Sequence, residues 1–176
     1  MLQMLSVIRS RRHYPLHSQA LAWCTHHTQV LALHLVGEGR CVIGGEEFLM
    51  QPPLLAVVAA GERNGNGQTG ASDAWWCHFH GQALTSMPGG TSVDLSLGEF
   101  SQCIPHARRI DQGTATRCAR LFQSLQDHGG RPGLHDAMKA SAMLTELLAL
   151  LIAPASQRHT REPVDIYRML IASPEI

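Results

Sequence analysis

Between Trp23 and Phe79 the apolar positions come in short runs cut by turn residues: Gln29 to Val36, Arg40 to Ile43, Glu46 to Met50, Leu54 to Ala59 and Trp75 to Phe79. Runs of this length, rich in Val, Leu, Ile and aromatic residues, read as strands. Strands so closely spaced must pair antiparallel, because no stretch between them has the length or period of a crossover helix. A sandwich or barrel therefore fits better than a doubly wound nucleotide fold. The glycines of GEGRCVIGGEEF, Gly37 to Phe48, agree with that reading. A phosphate-binding loop needs a helix after its glycines, and a Walker loop also needs a lysine just before that helix. Neither follows here, so Gly37-Glu38-Gly39 and Gly44-Gly45 are expected to reverse short strands. The segment GERNGNGQTGASD, Gly61 to Asp73, is rich in turn-tolerant residues and reads as a loop. Val93 to Leu97 alternates and adds one more strand.

After Asp111 the period changes to that of a helix. Ala115, Cys118, Phe122 and Leu125 recur at helical spacing, Asp111 or Thr114 can cap the start, and Gly129-Gly130 ends the segment. A second helix, Leu134 to Ala153, carries a seam at Ala137, Ala140, Leu144, Leu147 and Leu151, with further apolar residues at Met138, Met143, Leu148, Leu150 and Ile152. That is too much for one buried stripe. One face is expected on the strand domain and the other on a second copy, giving a homodimer through Ala140, Leu144, Leu147 and Leu151. The alternative is that both faces are covered within one chain. Pro154 closes the helix, PASQRHTREP reads as a linker, and Val164 to Ala172 begins a third helix that reads as the truncated start of another domain.

Composition narrows the function classes. A chain of 176 residues with 44% hydrophobic content can bury one sizeable core. Net charge is zero, and only Lys139 among the fourteen basic residues is not arginine, so the chain alone is expected to bind DNA poorly. No apolar run is long enough for a membrane helix, and MLQMLSVIRSRR reverses the order of a secretory signal, so a cytoplasmic location is expected. The five cysteines, at 24, 41, 77, 103 and 118, form no Cys-x-x-Cys pair and read as reduced packing residues. Catalysis has little footing: Lys139 lies outside the strand region, no Gly-x-Ser-x-Gly elbow occurs, and the adjacent Glu46 and Glu47 point to opposite faces of a strand. No enzyme activity and no cofactor are expected.

The order of these features resembles the amino-terminal half of AraC/XylS-family transcription regulators. The matching stretches are LHLVGEGRCVIGGEEF (Leu33 to Phe48), QPPLLAVVAAGERN (Gln51 to Asn64) and AWWCHFHG (Ala74 to Gly81). The resemblance implies a mostly β chain with α-helices at its carboxy-terminal end: a cupin-like antiparallel β-barrel, or jelly roll, followed by two dimerisation helices. By residue, it implies an arm over 1–20, an effector-binding barrel over 21–110, a helical dimerisation segment over 111–153, and a linker with the start of a helix-turn-helix domain over 154–176. It further implies a ligand-sensing domain that binds a small metabolite such as a sugar to control DNA binding by a carboxy-terminal domain absent from this chain. The chain departs from the family where Pro52-Pro53-Leu54 replaces Pro-Gly-Asp, and where Ala59-Ala60-Gly61 and then Asn64 replace Pro-Pro-Gly and then His.

Candidate residues follow from strand alternation. Trp75, Cys77 and Phe79 share one face, and Trp76, His78 and His80 the other. The resemblance places a ligand-stacking tryptophan at Trp76. On the facing hairpin His34 and Val36 share a side, and Asn64 and Asn66 near the barrel mouth can donate and accept hydrogen bonds. His78-Phe79-His80 has the local spacing of a cupin metal pair, but no Glu follows within range, so no metal site is assigned. Arg9, Arg11 and Arg12 precede His13-Tyr14-Pro15 in a segment without periodicity, read as a solvated terminus or an arm over the barrel mouth. The competing functions are a small metal-dependent cupin enzyme, an isomerase or dioxygenase, and a barrel that only dimerises.

Overall fold

The computed structural model describes residues 2–14, 21–81, 83–87, 92–128 and 133–152. Residues 154–176, expected to be a linker and the start of another domain, lie outside the described residues. The chain is mostly β with two helices at its carboxy-terminal end. The strands are β1 (Gln3–Tyr14), β2 (Ala22–Thr25), β3 (Gln29–Ile43), β4 (Glu46–Met50), β5 (Leu54–Val58), β6 (Arg63–His80), β7 (Leu84–Ser86), β8 (Ser92–Leu97), β9 (Phe100–Pro105) and β10 (Ala107–Arg109). Helices α1 (Gln112–His128) and α2 (Leu134–Ile152) follow.

All pairing is antiparallel. A seven-stranded sheet runs in the order β1-β6-β3-β5-β10, with β2 also on β6 and β4 also on β3, and β7-β8-β9 form a separate three-stranded sheet. Among the described residues the larger sheet is an open path and does not close into the expected barrel. One face of it is the main core. Leu31, Leu33, Leu55, Val57, Trp75, Cys77 and Phe79 meet Val93, Leu95 and Ile104 of the smaller sheet and the apolar sides of both helices. Each such fully buried side chain contributes about 1.5 to 3 kcal/mol of transfer free energy. Phe122 of α1 stacks on Trp75 with ring centroids 6.0 Å apart, joining helix to sheet.

Both helices start and pack for reasons visible in their residues. Asp111 caps α1, its carboxylate accepting from the Thr114 amide at 2.9 Å and the Thr114 hydroxyl at 2.6 Å. The buried side is Ala115, Cys118, Phe122 and Leu125, as the spacing predicts. In α2 the buried residues are Ala140, Leu144, Leu147, Leu148 and Leu151, all in the main core, whereas Ala137 is exposed. Ala140, Leu144, Leu147 and Leu151 are thus covered by their own chain, and a second copy could not meet them without unpacking that core. Arg117 clasps Glu146 at 2.6 Å across the helix pair, and Arg108 donates to the Leu151 carbonyl at 2.9 Å near the end of α2.

Three local expectations are overturned. GERNGNGQTGASD is no loop: from Arg63 onward it is the first half of β6, paired with Glu38 to Ile43 of β3 and with β2 and β1 on the other edge. Strand partners on both sides satisfy its backbone, and that tertiary pairing outweighs the weak strand preference of Gly and Asn. Gly37 and Gly39 do not reverse the chain. They lie inside β3 with φ of 125° and 156°, Gly39 in regular register opposite Gln68 and Gly37 in the second of two slips, which fall between His34 and Val36 and between Val36 and Glu38. These are bulges, which bend a strand and increase its twist. Gly44-Gly45, by contrast, makes the expected two-residue hairpin, with φ of 59° and 95° and Ile43 paired to Glu46. Finally, residues 3–14 are neither a frayed terminus nor a loose arm. They form β1, paired with β6 from Gln3 opposite His80 to Tyr14 opposite Gly70. Arg9 grips Asp73 through two hydrogen bonds of 2.9 and 2.7 Å, and Arg11 adds a third at 3.3 Å. The hydrogen bond from Arg9 holds the Asp73 carboxyl below its usual range.

The close approach of β3 and β6 has a mutational signature. A Cβ on Gly39 would overlap the Gly67 carbonyl oxygen, whereas one on Gly98 would meet nothing within 4 Å and carries only the strain of its φ of 63°. Gly39→Ala is expected to cost about 3 kcal/mol, against about 1 kcal/mol for Gly98→Ala. Urea unfolding of the two variants measures the difference, and equal losses would contradict the pairing at Gly39.

Candidate functional site

The second face of the large sheet is the candidate site. Residues directly opposite each other on antiparallel strands point to the same side, so the register alone lays out this face. Ile8, Trp76, Ala32 and Ala56 form one row across β1, β6, β3 and β5. Ser6, His78, Val30 and Val58 form the next, and Ser10, Ala74, His34 and Leu54 a third. Further along β6, Ala22, Asn66, Cys41 and Phe48 make a row across β2, β6, β3 and β4, followed by Cys24, Asn64, Ile43 and Glu46.

The bulges fold these two halves toward each other. Gln68 and Ala74, the β6 neighbour of His34, are six residues apart, about 20 Å along a straight strand. Yet the Gln68 amide nitrogen reaches within 3.5 Å of the His34 Nδ1. His26, just past β2, lies 5.0 Å from the His78 ring, edge to face. Phe48 of β4 comes within 6.3 Å of the His106 ring. Small apolar residues, Val30, Ala32, Ile43, Ala56 and Val58, form the floor between them.

On that floor stands a group of polar and aromatic side chains. The rings of His34 and Trp76 meet edge to face with centroids 5.2 Å apart. His34 is fully buried and Trp76 half-buried. His78 Nδ1 contacts the Thr28 hydroxyl at 3.0 Å. The Cys24 thiol donates to Asn64 Oδ1 at 2.9 Å and lies 3.4 Å from His26 Nε2. Two amide atoms of this face, Asn64 Nδ2 and Asn66 Oδ1, one donor and one acceptor, are buried without a partner, as is Glu46 Oε2 in the same row as Asn64. A buried polar atom without a partner costs roughly 1 to 3 kcal/mol, so the amide pair marks a place where a bound molecule gains by supplying one.

The electrostatics favour neutral groups. Burial pushes His34 down to about 4, so its ring is neutral near pH 7 and can accept from Gln68. His26 is lowered by burial, and His78 by burial and then by the nearby His26. Burial raises the Cys24 thiol, and raises Cys41 to about 12. These cysteines are held as thiols and are poor nucleophiles. Among the described residues no group of three or more His, Cys, Asp or Glu side chains converges as a metal site.

Of the residues expected from the sequence, Trp76, His34, His78, Asn64 and Asn66 all lie on this face. Val36 does not. The slip after His34 sets it opposite Asp73, and it lines a surface cleft with Arg11, Arg12 and His13 on the other side of the sheet. Gln68, Cys24, His26 and Thr28 complete the site and were not anticipated. The alternation Asn64-Gly65-Asn66-Gly67-Gln68 was the available signal for Gln68, since it places three amides on one side of a strand.

No protein-family model and no curated protein matches the chain. A solved cupin protein from Bacteroides fragilis is similar to it at 17% identity and a TM-score of 0.36, over 53% of this chain and 80% of that one. A likeness of that size adds nothing to the architecture read from strand pairing. No described helix is long and apolar enough to cross a membrane.

The lowered His34 predicts a pH dependence of stability. Its folded value, about 4, lies below the ordinary 6.5, so between them the unfolded chain binds more protons. Stability is then full above about pH 6.5 and falls as the pH drops toward 4, by on the order of 3 kcal/mol from this residue. His26 and His78 act in the same direction. Urea midpoints measured from pH 7 to pH 4 should fall, and His34→Gln should flatten the slope; an unchanged slope in that variant would contradict a buried neutral ring.

Proposed function

We propose that this chain is the ligand-sensing domain of an AraC-type transcription regulator, binding a small polar metabolite on the inner face of its large sheet. The observation that supports this most is the pair of buried, unpartnered amide atoms of Asn64 and Asn66 on the same face as the His34 and Trp76 rings. Amides that donate and accept, beside an aromatic surface, suit a molecule with hydroxyls on its edge and a flat or ring-shaped body, such as a sugar. Trp76 stacks on that body, Asn64 and Asn66 bond its polar edge, and His34 and His78, neutral at pH 7, act as hydrogen-bonding groups. Binding, and not catalysis, is the proposed role.

The output is DNA binding by a further domain, in the cytoplasm, with this domain working as one half of a homodimer. Ligand changes that output only if it binds two arrangements of the dimer with unequal affinity. A panel of monosaccharides and other small polar metabolites, tested by thermal shift, should yield at least one that raises the apparent stability. Trp76→Ala and Asn64→Leu should each weaken that compound at least tenfold, a loss of about 1.4 kcal/mol. Unchanged affinity in both variants would remove the site.

A further inference from the structure

We propose that the free edge of β1 is where two copies of this chain pair, antiparallel and in one register, with Ile8 opposite its own copy. The inference rests on the homodimer proposed above and names its surface. The α2 seam of Ala140, Leu144, Leu147 and Leu151 is spent inside the chain and does not supply the contact. Among the described residues β1 pairs with β6 alone, leaving the other edge of a 12-residue strand without a partner. That is about twice the usual strand length, and long unpaired edges are templates for another strand. The opposite end of the sheet is the 3-residue β10.

The charges on β1 select the register. It has no acidic residue, and its arginines, Arg9, Arg11 and Arg12, are confined to one half. A twofold axis perpendicular to the sheet keeps both copies facing the same way, so opposite residues must be separated by an even number of positions. With Ile8 on the axis, Val7 meets Arg9, Ser6 meets Ser10, and Leu5 and Met4 lie toward Arg11 and Arg12. No arginine faces another. Moving the axis toward Tyr14 sets Arg9 against Arg9, then Arg9 against Arg11, then Arg11 or Arg12 against itself, and like charges directly opposite destabilise a sheet. Moving it toward Gln3 shortens the overlap and runs it into the bulge at Leu5, where the register with β6 slips. Ile8 is the most exposed apolar residue of the strand, at 53%, and the chosen axis buries it against its twin.

Ile8 also stands opposite Trp76. The partner's β1 would therefore border the candidate site, and ligand at Trp76 would sense whether the partner is present. Association and binding at one wall are linked in both directions.

Sedimentation of the whole chain at tens of micromolar tests this. The wild type should be dimeric. Ile8→Lys and Ile8→Glu, folded by circular dichroism, should each be monomeric alone, because each sets two like charges face to face. An equimolar mixture of the two should recover the dimer. A monomeric wild type would remove the homodimer altogether. Dimeric single variants, or a mixture that stays monomeric, would leave a homodimer but overturn this edge and register. Ligand affinity, read separately by thermal shift, bears on the sensing proposal and not on the edge.

Discussion

The structure depends on β6 being paired along both of its edges. It holds β3 along Asn64 to Thr69 and Asp73 to Phe79 on one side, and β2 along Arg63 to Asn66 then β1 along Gly70 to His80 on the other. Seven of its 18 residues are Gly, Asn, Gln or Ser, all between Asn64 and Ser72, residues that bury little apolar surface and contribute little strand preference of their own. What keeps them extended is backbone hydrogen bonding to β3, and at either end of the polar half to β2 and β1. Glycine helps where strands or rings come close: at Gly65 a Cβ would stand 2.9 Å from the Trp23 ring, which also stacks beneath Arg63. Removing the neighbours would leave a flexible polar segment, and the candidate site would go with it.

The same strand explains why one sheet carries two different faces. Toward the helices, Trp75, Cys77 and Phe79 enter a dry core closed by Phe122 and the leucines of α2. Toward the other side, Trp76, His78 and the three amides of the polar half point together. The register slips on either side of Val36, between His34 and Glu38, bend the two halves until Gln68 meets His34. Burial then decides the chemistry. Rings that would be partly charged in water are held neutral and thiols are held protonated, and the unpaired buried atoms on this face belong to Asn64, Asn66 and the Glu46 carboxylate. A face of that kind recognises by hydrogen bonding and stacking more readily than it ionises a nucleophile.

Much of this was legible in the residues. The helices were read closely, because a 3.6-residue period over many turns is a strong signal, and Ala115, Cys118, Phe122 and Leu125 are the side that packs. The strands from Gln29 to Val58 and the face shared by Trp76 and His78 were also readable, from apolar runs and from alternation. The failures have a common cause. Whether Arg63 to Asp73 is strand or loop, whether Gly37 bends or reverses the chain, and whether residues 3–14 pair are all settled by distant partners, which composition does not display. Val36 was misplaced for the same reason: a single slipped residue sends a side chain to the opposite face. The exposure of the α2 seam was misjudged because an apolar helix looks alike whether its second face meets a sheet or another copy.

Amide hydrogen exchange along β6 tests the central claim most directly. Slow exchange from Asn64 to Asn66, within about tenfold of Trp75 to Phe79, is the result a doubly paired strand predicts. Exchange of Asn64 to Asn66 at the rate of an unstructured peptide, with Trp75 to Phe79 still protected, would show a loop there. It would dissolve the inner face on which the proposed site stands.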